Sequence, residues 1–240
     1  MKAPTGATPR AIEAAVVSPR KRVKVVIVED HTLFAESLEL ALTFEGYDAE
    51  RVDLPEEPAS ETKLTSMIMR PQPRIVLLDL DLGHHGSGVR LVSPLARAGA
   101  DVVVVTGSND ESRWGHALHS GARTVLSKRV PLGEILGTVR RLNYGNSVLD
   151  VDERERLIRT WVGQGQDLIE TRRRLAQLSR RETQVLEHLM DGFTVGDIAK
   201  IRVVSEATVR TQVKSILSKL GVSSQIAAVS LAHKAEWRAA

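Results

Sequence analysis

The stretch Arg74-Ile75-Val76-Leu77-Leu78-Asp79-Leu80-Asp81 decides how the chain is read. Its unbroken aliphatic run ends on a carboxylate. A short run of this kind suits a strand buried on both faces of a parallel sheet, since a half-buried strand would alternate. Asp79 then lies at the carboxyl end of that strand, where open α/β sheets form their ligand crevices.

Working outward, the same grammar repeats. Lys24-Val25-Val26-Ile27-Val28-Glu29-Asp30 is an apolar strand ending in two acids, followed by Phe34, Leu38, Ala41 and Leu42 at helical spacing up to Gly46. Ala49–Val52 reads as a short strand. Glu56–Met69 reads as a helix stopped by Pro71 and Pro73. The opening strand, Ile75–Leu80, leads through the loop Gly83–Gly88 to a helix at Val89–Ala98. Asp101–Thr106 and Thr124–Lys128 are two more strands, each followed by a helix, at Glu111–Ser120 and Pro131–Leu142. Five β-then-α units in about 120 residues predict a doubly wound, five-stranded parallel sheet with helices on both faces. Glu29, Asp30, Asp79, Thr106 and Lys128 then gather at one end of that sheet.

Three carboxylates in one pocket repel each other and require a cation. An all-oxygen site favours a hard ion, and Mg²⁺ fits because it takes few protein ligands and keeps waters for a phosphate. A carboxylate beside such an ion, a lysine and a hydroxyl can act as a nucleophile toward a phosphoryl group. The bland alternative, a salt-bridge network at the strand ends, explains an isolated Asp–Lys pair better than it explains this set.

Composition bounds the rest. The chain has 240 residues, no cysteine and a net charge of +3. The missing cysteines exclude disulfides and thiol chemistry. No run approaches the roughly 18 apolar residues of a membrane span. Residues 1–22 show no secretory signal, so the expected location is cytoplasmic. The net charge conceals an asymmetry: residues 23–150 carry 13 basic and 18 acidic side chains, whereas residues 151–240 carry 15 basic and 11 acidic. Two domains with different partners are expected, with nucleic acid as a partner of the basic part. Residues 1–22 read as a basic tail, either solvated or an arm that touches DNA.

Residues 146–177 read as a partly helical linker, with Glu153–Val162 and Leu168–Leu178 compatible with helices on either side of Gly163 and Gly165. Beyond it, Ser179-Arg180-Arg181-Glu182 matches a capping box. Thr194 caps a second short helix and Ser205 a third, whose buried stripe is Val209, Val213, Ile216, Leu217 and Leu220. A fourth starts at Ser223 or Ser224 and runs to about Trp237. This spells a helix-turn-helix module over 178–240. Its third helix leaves Arg210, Thr211, Lys214 and Ser218 on the open face, where they can enter a major groove. Ser205 and Thr208 sit at its N-terminus, which favours a phosphate.

Residues 23–145 resemble the receiver domain of bacterial two-component response regulators. The resemblance rests on Glu29-Asp30, Leu78-Asp79-Leu80, Thr106, and Lys128 with Pro131 after it. It implies that Asp79 accepts phosphate from a sensor histidine kinase. Glu29, Asp30, Asp79 and the backbone carbonyl of Asp81 would hold Mg²⁺, while Lys128 and Thr106 would contact the phosphoryl group. It implies no enzymatic turnover beyond slow loss of that phosphate. Gly83 stands where the family usually has Pro, and Val125 where it commonly has Tyr or Phe. His84 and His85 have no obvious partners for a metal site.

Residues 178–237 resemble the DNA-binding domain of the NarL/LuxR class, through Leu178–Leu186, Ile198-Ala199, Val204–Lys214 and Lys219–Val222. The likeness implies a homodimer on double-stranded DNA, with Arg210, Thr211 and Lys214 reading bases. Gln212 replaces a usual His, and Ile201-Arg202-Val203 an ordinarily different turn. The expected function is a phosphorylation-controlled transcription regulator. Three rivals remain: a regulator of the same architecture that ignores phosphate and uses the receiver to dimerise, a Mg²⁺-dependent phosphatase-like enzyme, and a scaffold that binds a kinase and no DNA.

Overall fold

The computed structural model describes residues 22–238. The basic tail expected over 1–22 therefore lies outside the described residues, apart from Arg22. By packing, residues 22–108 with 121–148 form one compact unit, and 109–120 with 149–238 form a second.

The first unit is built on five strands: β1 (Lys24–Val28), β2 (Asp48–Arg51), β3 (Ile75–Leu78), β4 (Asp101–Thr106) and β5 (Thr124–Ser127). All neighbours are parallel, in the order β2-β1-β3-β4-β5. The order reverses between β1 and β3, so the crevice at that switch point falls between the strands ending at Glu29 and at Asp79. Every residue of β3 is buried, as its sequence requires.

Strand alternation sorts the core. Val25, Ile27, Ile75, Leu77, Val103 and Val105 point to one face, against Ala35, Leu38 and Leu42 of α1 (Thr32–Phe44) and Ile135, Val139 and Leu142 of α5 (Leu132–Asn143). Leu64 and Ile68 of α2 (Glu61–Met69) and Leu91, Val92 and Leu95 of α3 (Val89–Arg97) are also buried. The second helix starts at Glu61, not at Glu56. Ser60 supplies the N-cap, accepting from the Lys63 N–H, and Pro58 lies just upstream of it. Strand β3 likewise ends at Leu78 instead of Leu80.

The second unit contains α4 (Glu111–His119), α6 (Val151–Leu175), α7 (Arg180–Met190), α8 (Val195–Arg202), α9 (Glu206–Leu220) and α10 (Gln225–Lys234). Two helices interrupted at Gly163 were expected where one 25-residue helix, α6, runs through both glycines. Each mid-helix glycine costs about 1 kcal/mol relative to alanine. Packing at both ends offsets this. Toward the N-terminus, Leu157 is buried, the Trp161 ring stacks on His116 at 4.8 Å, and Arg156 binds Glu111 through two nitrogens. Gly115 of α4 permits this approach, since a Cβ there would collide with the Leu157 carbonyl. Toward the C-terminus, Leu175 enters the core of α7–α10, and Arg174 donates to the Leu220 carbonyl at 3.1 Å.

That core joins Val185, Leu186 and Leu189 to Ile198, Ala199, Val209, Val213, Ile216 and Leu220. The capping boxes at Ser179 and Thr194 and the cap at Ser205 all form, whereas α10 ends at Lys234, earlier than Trp237. Among the described residues, no single helix is long and apolar enough to cross a membrane.

Candidate functional site

The parallel register carries Glu29 and Asp79 to the same end of the sheet, because Val28 pairs with Leu78 and each acid follows its strand directly. Strand β5 pairs Thr106 with Ser127, which places Lys128 one residue further on. Lys128 Nζ donates to Asp79 Oδ2 at 2.7 Å and lies 2.6 Å from Glu29 Oε2. Burial alone would lower the Lys128 pKa, but the hydrogen bonds it donates to Asp79 and Glu29 outweigh it and the pKa is raised. The ammonium therefore stays charged between two carboxylates. The Phe34 ring lies 5.2 Å from it.

One lysine does not satisfy the pocket. Asp79 is only 2% exposed, and its Oδ1 has no hydrogen-bond partner among the described residues. A buried carboxylate oxygen left this way is costly unless another group meets it. Around it, ligand atoms of Glu29, Asp30, His31 and Asp79 lie within 4.8 Å of one another. These carboxylates suit a hard divalent cation, so the residues fit Mg²⁺.

The other expected residues are placed less closely. Thr106 is fully buried at the end of β4, and its hydroxyl accepts from the Ser108 N–H at 3.2 Å. Asp81 turns its side chain outward, and its backbone bridges to Ser87 in a small antiparallel pairing. Gly88, at the far end of that loop, lies so close to the Asp79 carbonyl that any Cβ would collide with it. Gly83 has φ +53°, which proline cannot adopt, so the loop here follows a different path from a proline-bearing one. His84 and His85 do not form a metal pair: both direct Nε2 at the Pro55 carbonyl, at 3.1 and 2.8 Å.

His31 escaped the sequence reading. Its Nδ1 lies 2.9 Å from Glu29 and 2.8 Å from Asp30, and the Glu29 hydrogen bond, then the Asp30 charge, raise its pKa. The available signal was its position directly after the acid pair.

In the second unit, Arg210, Thr211, Lys214 and Ser218 are exposed on α9, opposite the buried stripe. Ser205 Oγ accepts from the Thr208 N–H at 3.1 Å. Thr211 donates back to the Ala207 carbonyl and Arg210 pairs with Glu206 at 2.6 Å, so both must rearrange to reach an external partner. Helix α9 is tied down at its other end. Glu182, which closes the capping box of α7, also accepts from Ser215 and Lys219, each at 2.6 Å.

Residues 25–140 match the response regulator receiver domain, and residues 176–232 match the bacterial regulatory proteins of the luxR family. The chain belongs to the DNA-binding response regulators of the NarL/LuxR class. It is 27% identical over 215 residues to the oxygen regulatory protein NreC of Staphylococcus carnosus, covering 88% of this chain and 97% of that protein. It is 25% identical over 229 residues to the transcriptional regulatory protein DegU of Brevibacillus brevis, covering 90% and 95%. A solved structure of the Salmonella typhimurium response regulator RcsB aligns over 87% of this chain and 97% of its own, at 22% identity and a TM-score of 0.46. Proteins of this class are transcription regulators that bind DNA rather than enzymes.

Proposed function

We propose that this regulator is controlled by phosphorylation of Asp79. The observation that carries the proposal is the orphaned Asp79 Oδ1, buried beside Lys128. A histidine kinase would be the donor: the P–N bond of its phosphoimidazole breaks as a P–O bond to an Asp79 oxygen forms, and the product is an acyl phosphate. Lys128, already between Asp79 and Glu29, shifts to pair with the phosphoryl oxygens. Thr106 exchanges its Ser108 contact for a hydrogen bond to them. Glu29, Asp30, Asp79 and the Asp81 carbonyl would hold Mg²⁺, which when bound neutralises charge on the transferring group.

The phosphorylated form acts as a homodimer in the cytoplasm, with α9 of each copy at one half-site of double-stranded DNA. Ser205 and Thr208 then meet backbone phosphate, while Arg210, Thr211 and Lys214 reach base edges.

A second reading keeps the architecture and drops the phosphate control. Val125 on β5, where related receivers carry a ring, favours it. One experiment separates the two: DNA affinity of wild type and Asp79→Asn, each with Mg²⁺ before and after acetyl phosphate. The first reading expects wild type to be labelled and to bind more tightly after labelling, and the variant to be unlabelled and unchanged. Labelling that persists in Asp79→Asn removes Asp79 as the acceptor. Labelling that leaves DNA affinity unchanged favours the second reading.

A further inference from the structure

The loop that follows Asp79 has an anchor of its own. Between Asp81 and Gly88 the chain makes a small hairpin, closed by the Asp81–Ser87 bridge and by Gly88 N–H donating to the Leu80 carbonyl at 2.8 Å. The tip, Gly83–Gly86, is a single 3₁₀ turn bounded by glycines with φ of +53° and +75°. Glycines at both ends give this turn the required shape but no stiffness of its own.

The stiffness comes from His85. Its side chain is 3% exposed, although it belongs to a surface turn. Its Nε2 donates to the Pro55 carbonyl at 2.8 Å, and its Nδ1 accepts from the Ala59 N–H at 3.3 Å. Both bonds together require the neutral ring with its proton on Nε2. Arg90 also donates to the His85 carbonyl at 2.6 Å. A buried imidazole with both nitrogens engaged thus ties the Asp79 loop to the segment between β2 and α2.

These two segments are the walls of a cleft of about 440 Å³ that includes Glu29 and Asp30. Val52, Asp53 and Leu54 line one wall and Leu82–His85 the other. The loop runs beside both acids, with Gly83 of the tip near the Asp30 carboxylate and Gly88 against the Asp79 backbone. A Cβ on Gly83 would lie 3.2 Å from Asp30 Oδ2, and Gly88 presses on the Asp79 carbonyl. Movement of the tip therefore alters the surroundings of both acids.

We propose that His85 is a positioning residue for Mg²⁺-dependent phosphorylation of Asp79: by pinning the loop tip to Pro55 and Ala59 it holds the Asp81 backbone and the cleft wall in place for the cation. The proposal rests on the reading of Asp79 as phosphoacceptor. It also gives the histidine a role that needs no metal on its ring. The effect acts on assembly of the cation site, as for residues that orient metal ligands from one contact away, whose loss costs about tenfold or more in metal affinity.

The test uses the full chain with His85→Leu and His85→Gln. Leucine keeps an apolar side chain in the buried place and makes neither bond. Glutamine retains a donor that can reach Pro55. Four quantities are measured: Mg²⁺ affinity by calorimetry, the rate of labelling by acetyl phosphate against Mg²⁺ concentration, hydrogen exchange of the Ala59 amide, and melting temperature. His85→Leu is expected to weaken Mg²⁺ binding about tenfold, to slow labelling at low Mg²⁺ and recover it at saturating Mg²⁺, and to expose the Ala59 amide. His85→Gln should fall between. Melting temperature separates positioning from plain stability: a loss of Mg²⁺ affinity in His85→Leu beyond what the change in melting temperature accounts for marks positioning. Wild-type Mg²⁺ affinity in His85→Leu, or a loss that tracks melting temperature alone, overturns the proposal and leaves Asp79 as acceptor. A wild-type chain that is never labelled overturns the reading of Asp79, and this proposal with it.

Discussion

Each unit contains a lysine clamped on buried carboxylate oxygen, and the two clamps differ in one respect. Lys219 meets Glu182 at 2.6 Å, as Lys128 meets Glu29 at 2.6 Å and Asp79 at 2.7 Å. Around Glu182 both carboxylate oxygens are engaged: Oε1 by Ser215, Oε2 by Lys219 and the Ser179 N–H. Around Asp79 one oxygen has no partner. A network completed within the chain serves the fold, because every buried polar atom is already satisfied. A network left one partner short has room for a further group, which is what the proposed phosphorylation of Asp79 would use.

The comparison breaks if the two clamps respond alike to removal. Glu182→Ala should destabilise the helix-turn-helix unit by about 3 kcal/mol, through loss of a cap and of charged hydrogen bonds. Asp79→Asn should act in the opposite direction: with no divalent cation present it stabilises the first unit by about 1 kcal/mol, since a buried charge with an unmet oxygen is replaced by a neutral group. Urea unfolding of each variant, followed by a probe in the affected unit, gives both values. Two losses of similar size would make the Asp79 cluster a structural clamp like the other.

Acid sharpens the same contrast. Burial works against the Glu182 charge, but hydrogen bonds from Lys219, Ser215 and Ser179 prevail and hold its carboxyl at about 2. With the folded value depressed below the ordinary Glu value of about 4.3, its contribution to stability is full above that pH and is lost as pH falls toward 2. Glu170 on α6 is also held at about 2, by Arg173 and Arg174. That trio lies at the surface, with side chains 40% or more exposed, and added salt should erase its contribution. The expected result is an acid transition in this window that survives 1 M salt in wild type and flattens in Glu182→Gln. A transition abolished by salt alone would assign it to the surface pairs.

Much of this was legible in the residue order. Ile75–Leu78 is buried on both faces because nothing in it is polar, and the apolar runs of β1 and β4 beside it read the same way, whereas the polar β2 lies at the sheet edge. The acid pair, Asp79 and Lys128 converge because each follows its strand directly. What escaped was set by tertiary contact. Gly163 and Gly165 carry ordinary helix-breaking propensity, and only the anchoring of α6 at Trp161 and Leu175 overrides it. Glu182 was readable as a capping residue three positions from Ser179, but its partners Ser215 and Lys219 lie 33 and 37 positions away. His85 looked isolated beside His84 because Pro55 and Ala59 are about thirty residues upstream.

The smallest test extends the comparison from side chains to backbone. Val203, between α8 and α9, has φ +53° and ψ +51° and is 90% exposed. A β-branched residue in the left-handed region costs about 1–2 kcal/mol, and so exposed a side chain recovers little by packing. Its position matters, because this turn sets the entry of α9. Val203→Asn keeps the backbone shape with a residue that tolerates it, and should stabilise the unit by about 1 kcal/mol in thermal unfolding. DNA affinity then says which clamp this strain resembles. Unchanged affinity makes it a plain cost of the turn, with no ligand behind it. Weaker affinity alongside higher stability would place Val203 with Asp79, as a local cost retained because a partner meets it.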